Sequence, residues 1–141
     1  MDRKGSCLCG LVRISVSRDA TDVGACHCKI CQRWTGGPLM ELECGSNVKF
    51  EGSENIKVFK STQRAERGFC KECGSHLFVR SVESDEYGIP PGIFEDVQGI
   101  NFNRQVFIDN KPNYYSFANT TRDISSDYIY EHFPQVRDEN T

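Results

Sequence analysis

The residues best suited to chemistry in this chain are cysteines, of which its 141 residues include eight. Seven of them fall into three short clusters: Cys7-Leu8-Cys9, Cys26-His27-Cys28-Lys29-Ile30-Cys31 and Cys70-Lys71-Glu72-Cys73. The eighth, Cys44, stands alone. Thiolates spaced one or two residues apart converge locally, which suits a single ion held at ~2.3 Å from each sulfur. The pattern therefore predicts metal sites.

Residues 1–5 precede the first cluster and lack the apolar stretch of a secretory signal, so we expect a cytoplasmic protein. Disulfides do not persist in that reducing compartment, whereas an even number of cysteines in a secreted domain would permit a disulfide framework. Metal binding is therefore the favoured use of these thiols, and zinc is the expected ion.

The coordination chemistry of zinc indicates how the cysteines divide. A structural zinc takes four protein ligands, whereas a catalytic zinc keeps three and leaves one position open. The two outer pairs make a closed, structural set: Cys7, Cys9, Cys70 and Cys73. The remaining trio makes an open set, unless Cys44, His27 or an outside ligand closes it: Cys26, Cys28 and Cys31. Spacing alone also allows other groupings.

The remaining candidates for ligands are expected to be structural. Cys44 alternates with apolar neighbours and is interpreted as a small buried hydrophobe. His27 would point away from its cysteine neighbours in an extended chain, so we expect it at the surface or beside the ligands rather than among them. His76 and His132 are expected to be structural or solvated. The aromatic group of Tyr114, Tyr115 and Phe117 is expected in the core.

Short alternating segments predict a mostly β, compact single domain of small antiparallel sheets. Strand periodicity is present in residues 11–17, 39–44, 47–52, 56–60, 75–80 and 105–108. One short helix is expected within residues 123–132, and the acidic, proline-containing residues 83–99 are interpreted as an exposed loop. We expect one domain over residues 1–134 and a polar C-terminal tail over residues 135–141.

Two local geometries follow from the same spacing. Cys7 and Cys9 would project from one face of an extended chain. Gly74, directly after the Cys-x-x-Cys pair, would supply the positive φ of a zinc-knuckle turn.

Charge and hydropathy disfavour two classes of partner. The formal net charge is −3, so a basic surface for nucleic acid is not expected. No apolar run approaches the ~20 residues that span a bilayer, so no membrane partner is expected either. The basic residues are concentrated in residues 1–80, together with all the cysteines, which favours an anionic small molecule.

The motifs and their order resemble one known family. The residues that carry the resemblance are Cys7-x-Cys9-Gly10, Cys26-His27-Cys28-x-x-Cys31-Gln32-Arg33-Trp34-Thr35-Gly36-Gly37-Pro38, Arg67-Gly68-Phe69-Cys70-x-x-Cys73-Gly74-Ser75-His76-Leu77-Phe78 and Val106-Phe107-Ile108-Asp109-Asn110-Lys111-Pro112. Over about residues 5–118 the chain resembles the glutathione-dependent formaldehyde-activating enzyme family, whose superfamily includes the centromere protein V domain.

The resemblance implies a compact fold of small sheets around zinc, called a β-tent. It implies a structural zinc on the outer four cysteines and a catalytic zinc on Cys26, Cys28 and Cys31. The family's named activity is a carbon–sulfur lyase reaction, in which formaldehyde and glutathione form S-hydroxymethylglutathione, or the reverse. Arginine is frequent in the family where Gln32 stands, so an anion-binding role is not carried over to that position.

Adding a thiol to an aldehyde requires a thiolate and a polarised carbonyl, and a zinc ion with a free position can promote either. Three thiolates give the zinc site a net charge of −1, which favours binding of the incoming sulfur over activation of the carbonyl. Lys29 and Arg33 are candidates to offset that charge and to hold a substrate carboxylate. Trp34 offers an apolar wall, and Gly36 and Gly37 allow close approach of the backbone.

Three hypotheses about function remain at this point. The first is a zinc-dependent carbon–sulfur lyase with two zinc ions per chain and a small thiol or thiol–aldehyde adduct as substrate. The second is a non-enzymatic zinc module that binds a protein partner, with both metals structural. The third is redox or metal sensing by an exposed Cys26 and Cys28. A trio without a fourth ligand favours the enzyme, because a purely structural site has no reason to stop at three.

Overall fold

The computed structural model describes residues 2–139, most of whose regular structure is β-strand. The strands found in this range are β1 (Asp2–Ser6), β2 (Arg13–Ser17), β3 (Asp22–Cys26), β4 (Leu39–Gly45), β5 (Val48–Glu51), β6 (Ile56–Lys60), β7 (Ala65–Cys70), β8 (His76–Ser81), β9 (Glu86–Ile89), β10 (Asn101–Val106) and β11 (Arg122–Ile124). The α-helices are α1 (Lys29–Thr35) and α2 (Ser126–His132). The predicted mostly β class is confirmed.

The elements belong to two compact units, one formed by residues 2–21 and 42–100 and the other by residues 22–41 and 101–139. Each unit contains one of the two predicted cysteine sets. β4 begins in the second unit and ends in the first.

The first unit contains a three-stranded antiparallel sheet in the order β1-β2-β5. Side chains alternate along β2, so that Ile14 and Val16 are buried while Arg13 is exposed. Arg3 on β1 is almost fully buried, and its guanidinium donates hydrogen bonds to the backbone carbonyls of Ala20, Asp96 and Arg18 at 3.1 to 3.3 Å. These bonds tie the N-terminal strand into the unit.

The same unit contains the antiparallel succession β4-β9-β8-β7-β6. Its apolar interior includes Phe78 on β8, whose ring lies 5.5 Å from that of Phe50 and 5.2 Å from that of Tyr87. Aromatic contacts at these spacings are favourable beyond their buried area, and they hold β8 against β5 and β9. Backbone pairing places β8 beside β7. Cys70 ends β7, and Cys73 lies in the turn that leads to β8.

The prediction of an exposed loop over residues 83–99 is wrong for its central part. The segment forms β9, which pairs with both β4 and β8, and Gly88 and Ile89 are buried. A 3₁₀ turn at Pro91–Ile93 and the buried Phe94 follow. The strand has only four residues, and the acidic and proline residues around it conceal its short apolar part.

The second unit contains β10, with β3 paired on one side and β11 on the other. Both pairings are parallel, unlike the expected antiparallel sheets, because these segments are distant in sequence and are not joined by hairpin turns. The register places Gln105 on β10 opposite Ala25 of β3 and Asp123 of β11.

The helix expected within residues 123–132 is confirmed as α2. It begins after Ser125, whose hydroxyl accepts a hydrogen bond from the backbone N–H of Tyr128 at 3.3 Å. A 3₁₀ helix over Pro134–Glu139 follows, and residues 140 and 141 of the expected polar tail lie outside the described residues. None of the helices formed by residues 2–139 combines the length and apolar character that crossing a bilayer requires.

Candidate metal centres

The outer four cysteines converge on one point in the first unit. The Sγ atoms of Cys7, Cys9, Cys70 and Cys73 all lie within 4.8 Å of one another. The Sγ of Cys9 is 3.5 Å from that of Cys7 and 3.7 Å from that of Cys70. Four sulfurs arranged tetrahedrally at ~2.3 Å around zinc are about 3.8 Å apart, so the spacing fits a four-thiolate zinc site.

Two tight turns aim these sulfurs. In the first, the N–H of Gly10 donates to the carbonyl of Cys7 at 3.1 Å, and the N–H of Val12 donates to the Cys7 sulfur at 3.3 Å. In the second, the N–H of Gly74 donates to the carbonyl of Cys70 at 2.9 Å. The φ of Gly74 is +75°, which confirms the predicted knuckle turn. The expected extended geometry at Cys7 and Cys9 is wrong, because this segment is a turn.

Ser75 connects the two turns. Its hydroxyl accepts a hydrogen bond from the N–H of Leu8 at 3.0 Å and lies 3.2 Å from the sulfur of Cys73. The hydroxyl and backbone of Ser75 lower the pKa of Cys73 to about 5. Although the Leu11 N–H lowers the pKa of Cys9, desolvation and the neighbouring cysteine sulfurs raise it to about 12. Crowded thiolates repel one another, and a shared cation removes that repulsion.

The trio is built where a strand passes into a helix. Cys26 is the last residue of β3, Cys28 is the N-cap of α1, and Cys31 lies in the first turn of α1. The N–H of Cys31 donates to the sulfur of Cys28 at 3.3 Å, as an N-cap side chain accepts in many helices. The three Sγ atoms lie within 4.8 Å of one another, and all three residues are buried.

The electrostatics of the trio oppose three simultaneous thiolates. The sulfurs of Cys28 and Cys31, with burial as a further cause, raise the pKa of Cys26 well above its ordinary value. A bound cation removes this repulsion and requires the thiolate form. No disulfide joins any two of the eight cysteines, so neither set is used in a cross-link. The donor set therefore fits zinc, which prefers thiolate ligands.

Within residues 2–139, the group that could hold a metal at the trio includes neither Cys44 nor His27. Cys44 is buried, as predicted, and its thiol donates to the carbonyl of Leu42 at 3.3 Å. His27 is fully buried, with Nε2 2.8 Å from Oε1 of Gln105 and Nδ1 2.9 Å from the hydroxyl of Tyr115. Both ring nitrogens are thus engaged beside the ligands, and of the two expected places for His27 the surface is wrong.

Gln32 has a structural role in this unit. Its side-chain amide donates to the backbone carbonyls of His27 at 2.6 Å and Asn110 at 3.0 Å. These bonds hold α1 against the segment that carries the trio.

The predicted substrate-binding residues lie on α1 and just after it. Lys29 and Arg33 are exposed on the helix, and Trp34 is half-buried. Gly36 is the C-cap of α1, with φ of +84°. A Cβ added to Gly37 would meet no atom within 4 Å outside its chain neighbours, so the surroundings of Gly37 leave room for a ligand.

Other expectations have mixed outcomes. Tyr114 is 76% exposed, so its predicted place in the core is wrong, whereas Tyr115 and Phe117 are half-buried and pack at 5.6 Å between ring centroids. His76 and His132 belong to neither cysteine group, and the His132 ring stacks on that of Tyr128. The sensing hypothesis requires an exposed Cys-x-Cys pair, but Cys26 and Cys28 are buried.

Sequence reasoning missed three side chains that shape the two centres: Ser75, Gln105 and Thr121. Ser75 belongs to the motif Cys73-Gly74-Ser75, and a hydroxyl two residues after a metal ligand indicates a hydrogen-bond partner for that ligand's sulfur. Gln105 and Thr121 carry no such signal, because only the pairing of distant strands brings Gln105 to His27 and Thr121 to Gln105.

Comparison with known proteins gives consistent matches. A profile of the family described as "Glutathione-dependent formaldehyde-activating enzyme" matches residues 2–110. A Schizosaccharomyces pombe protein named as an uncharacterized lyase is 33% identical over 127 residues, which cover 89% of this chain and 93% of that protein. A Halomonas elongata protein, provisionally named as a glutathione-dependent formaldehyde-activating enzyme, is 26% identical over 131 residues, covering 85% of this chain and 83% of that protein.

A crystal structure of a Rhodobacter sphaeroides protein is similar with a TM-score of 0.56 and 29% sequence identity, covering 70% of this chain and 90% of that chain. The matches confirm the resemblance carried by the cysteine motifs and the expectation of an enzyme of the lyase class. This chain belongs to the glutathione-dependent formaldehyde-activating enzyme family.

Proposed function

We propose that this chain is a carbon–sulfur lyase that makes or breaks the bond between a thiol sulfur and an aldehyde carbon, at a zinc ion held by Cys26, Cys28 and Cys31. The observation that carries the proposal is the convergence of three buried sulfurs, with no fourth Cys, His, Asp or Glu ligand atom in that group among the described residues. Family membership supports glutathione and formaldehyde as the reacting pair.

The proposed reaction needs no external oxidant or reductant. In the joining direction, the thiolate electron pair forms the carbon–sulfur bond, and the carbonyl oxygen takes the π electrons and then a proton. In cleavage, the hydroxyl loses its proton, the carbonyl re-forms, and the carbon–sulfur electron pair returns to sulfur. When bound, zinc supplies a lower pKa for a coordinated thiol and a fixed position for its sulfur.

The chain's own residues hold and orient the reactants. Cys28 begins α1, so the helix starts at the trio and carries Lys29 and Arg33 one turn apart on one face. Their charges oppose the net −1 of a three-thiolate zinc site and suit the carboxylates of glutathione. Trp34 and Gly37 follow on the same segment and supply an apolar ring and open space.

The four-cysteine centre has a structural role in this proposal. Its sulfurs come from two turns that are far apart in sequence, and four thiolates leave zinc no open position. Binding of the metal there contributes mainly to folding. A cytoplasmic location stays a prediction, and it suits free thiols because that compartment is reducing.

The test is to follow exchange between glutathione and 13C-labelled formaldehyde by NMR, with the spontaneous rate subtracted. We expect the wild type to accelerate exchange and Cys28→Ser to abolish the acceleration. Cys44→Ser is the matched control, because Cys44 is also buried but belongs to neither group, and it is expected to stay active. A wild type that gives no acceleration would reject the proposal in favour of the non-enzymatic zinc module. Equal acceleration by wild type and Cys28→Ser would reject the trio as the site of the reaction.

A further inference from the structure

A line of side-chain hydrogen bonds crosses the second unit and ends at the histidine between two of the trio's cysteines. The hydroxyl Oγ1 of Thr121 lies 2.6 Å from Oδ1 of Asp123. The side-chain nitrogen of Gln105 lies 3.0 Å from the same hydroxyl. The oxygen of Gln105 lies 2.8 Å from Nε2 of His27, whose Nδ1 lies 2.9 Å from the hydroxyl of Tyr115.

The chemistry of each group fixes the direction of every bond in this line. A carboxylate only accepts, so the Thr121 hydroxyl donates to Asp123 and its oxygen accepts from the nitrogen of Gln105. The amide oxygen of Gln105 is thereby turned toward His27. Because an amide oxygen only accepts, Nε2 of His27 carries the hydrogen, and in a neutral imidazole Nδ1 then accepts from the Tyr115 hydroxyl.

His27 is held at every polar atom. Besides the two ring contacts, its backbone N–H donates to the carbonyl of Val106 at 3.0 Å, and its carbonyl accepts from the side chain of Gln32 at 2.6 Å. The side chain is fully buried, where an unpaired polar atom is costly. The peptide bonds on either side of His27 lead to Cys26 and Cys28, so the same contacts orient both thiols.

We propose that Asp123, Thr121 and Gln105 are positioning residues that act through His27. They select the His27 tautomer with hydrogen on Nε2, and this tautomer holds Cys26 and Cys28 where the three sulfurs converge. The other tautomer would set a bare ring nitrogen against the oxygen of Gln105, and the buried ring would shift to relieve that repulsion. This role rests on the proposed function, because it takes the trio as the metal ligands.

The first test needs no variant. The full-length, zinc-loaded protein is labelled with 15N at histidine, and the ring nitrogens of His27 are assigned by NMR. We expect a hydrogen-bearing Nε2 and a bare Nδ1. Hydrogen on Nδ1 with a bare Nε2 would overturn the proposal.

The second test breaks the line at Thr121, which lies outside both cysteine groups. Thr121→Val keeps the shape of the side chain but removes the hydroxyl, and Thr121→Ser keeps the hydroxyl. We expect Thr121→Val to give a mixed His27 tautomer in the zinc-loaded protein. In cobalt-substituted protein, its metal retention at the trio should be weaker by about tenfold. Thr121→Ser should match the wild type, and metal retention at the four-cysteine centre should stay unchanged as an internal reference.

Two results would overturn the positioning role. One is a Thr121→Val protein that equals the wild type in both readouts. The other is equal weakening at both metal centres, or a loss that Thr121→Ser does not rescue, because either indicates general destabilisation. Neither test uses a substrate. A wild type without lyase activity would therefore reject the proposed function, whereas the His27 tautomer and metal retention test the positioning role by themselves.

Discussion

The sulfur of Cys9 lies 3.7 Å from the sulfur of Cys70, although 61 positions separate the two residues in the chain. The distance is close to the edge of a tetrahedron of sulfurs around one zinc ion, about 3.8 Å. The contact joins a turn after the N-terminal strand to the turn between β7 and β8. A metal at this point therefore closes a long loop of chain, and its loss is expected to affect folding.

Cys73→Ser is expected to unfold the protein or to lower its melting temperature sharply. Structural zinc contributes on the order of 10–16 kcal/mol in zinc-finger peptides, which is comparable to the ~5–15 kcal/mol total stability of typical domains. The measurement is thermal unfolding by circular dichroism, with metal analysis of each protein. Cys44→Ser is the control, and it should keep both metals and melt close to the wild type. A Cys73→Ser protein that melts like the wild type would contradict a structural zinc.

Cys28→Ser is expected to keep the fold and to lose one of two zinc ions per chain. The trio has only three sulfurs to hold its ion, so removing one leaves two, whereas the four-cysteine centre is untouched. Metal analysis before and after a graded chelator treatment measures this, and in the wild type the trio should lose its ion first. A single zinc in the wild type, or two in Cys28→Ser, would show that the trio is not an open metal site.

The division of the cysteines was predictable because the ligand pairs are local in sequence and zinc accepts a fixed number of ligands. The sequence does not predict α1, the helix that carries Cys31 and begins at Cys28. α1 has only seven residues, too few to show a helical period, and its N-cap is Cys28 rather than one of the usual capping residues. An extended chain keeps His27 away from the ligands but does not decide between the surface and the buried position that it occupies.

Long-range pairing explains most of the other differences. β3, β10 and β11 are short and lie far apart in sequence, and their parallel register brings Gln105 opposite Asp123. The four residues of β9 lie among acidic and proline residues, so the sequence predicts a loop where Ile89 is buried in a strand. Alternation predicts that a segment is a strand, but it does not identify the strand's partner.

The affinity of the trio for metal is expected to rise with pH between about 6 and 8. The pKa of Cys26 is raised well above its ordinary value by the sulfurs of Cys28 and Cys31 and by burial, so the metal-free protein keeps that proton at pH 7. A bound ion requires the thiolate, and loading therefore releases the proton. Each released proton makes affinity about tenfold stronger per pH unit.

Calorimetry in two buffers with different ionisation enthalpies counts the protons released, using protein whose four-cysteine centre is already loaded. At least one proton per ion is expected at pH 7. Affinity that does not change over this pH range, with no proton released, would contradict the crowded-thiol description of the trio.

Gly36→Ala and Gly37→Ala are expected to separate a structural glycine from a functional one. Gly36 has φ of +84° and its N–H donates to the carbonyl of Gln32 at 2.8 Å, so alanine there costs about 1 kcal/mol of unfolding free energy. Gly37 has no positive φ and open space around its Cα, so alanine should leave stability unchanged. Gly37→Ala should nevertheless raise KM for glutathione severalfold, by obstructing the substrate.

Urea unfolding and steady-state kinetics on both variants provide the two measurements. A Gly37→Ala protein with unchanged KM, or one destabilised as much as Gly36→Ala, would remove Gly37 from the proposed substrate site.

The central claim is that a metal on Cys26, Cys28 and Cys31 keeps one position free for a thiol substrate. The most direct measurement is a titration of cobalt-substituted protein with glutathione, followed by the visible ligand-field bands and the sulfur-to-metal charge-transfer band. We predict that a charge-transfer band grows with glutathione until one equivalent is bound at the trio, and that S-methylglutathione, which lacks the thiol, produces no such band. A spectrum that glutathione leaves unchanged, with cobalt already four-coordinate through the chain's own side chains, would contradict the claim.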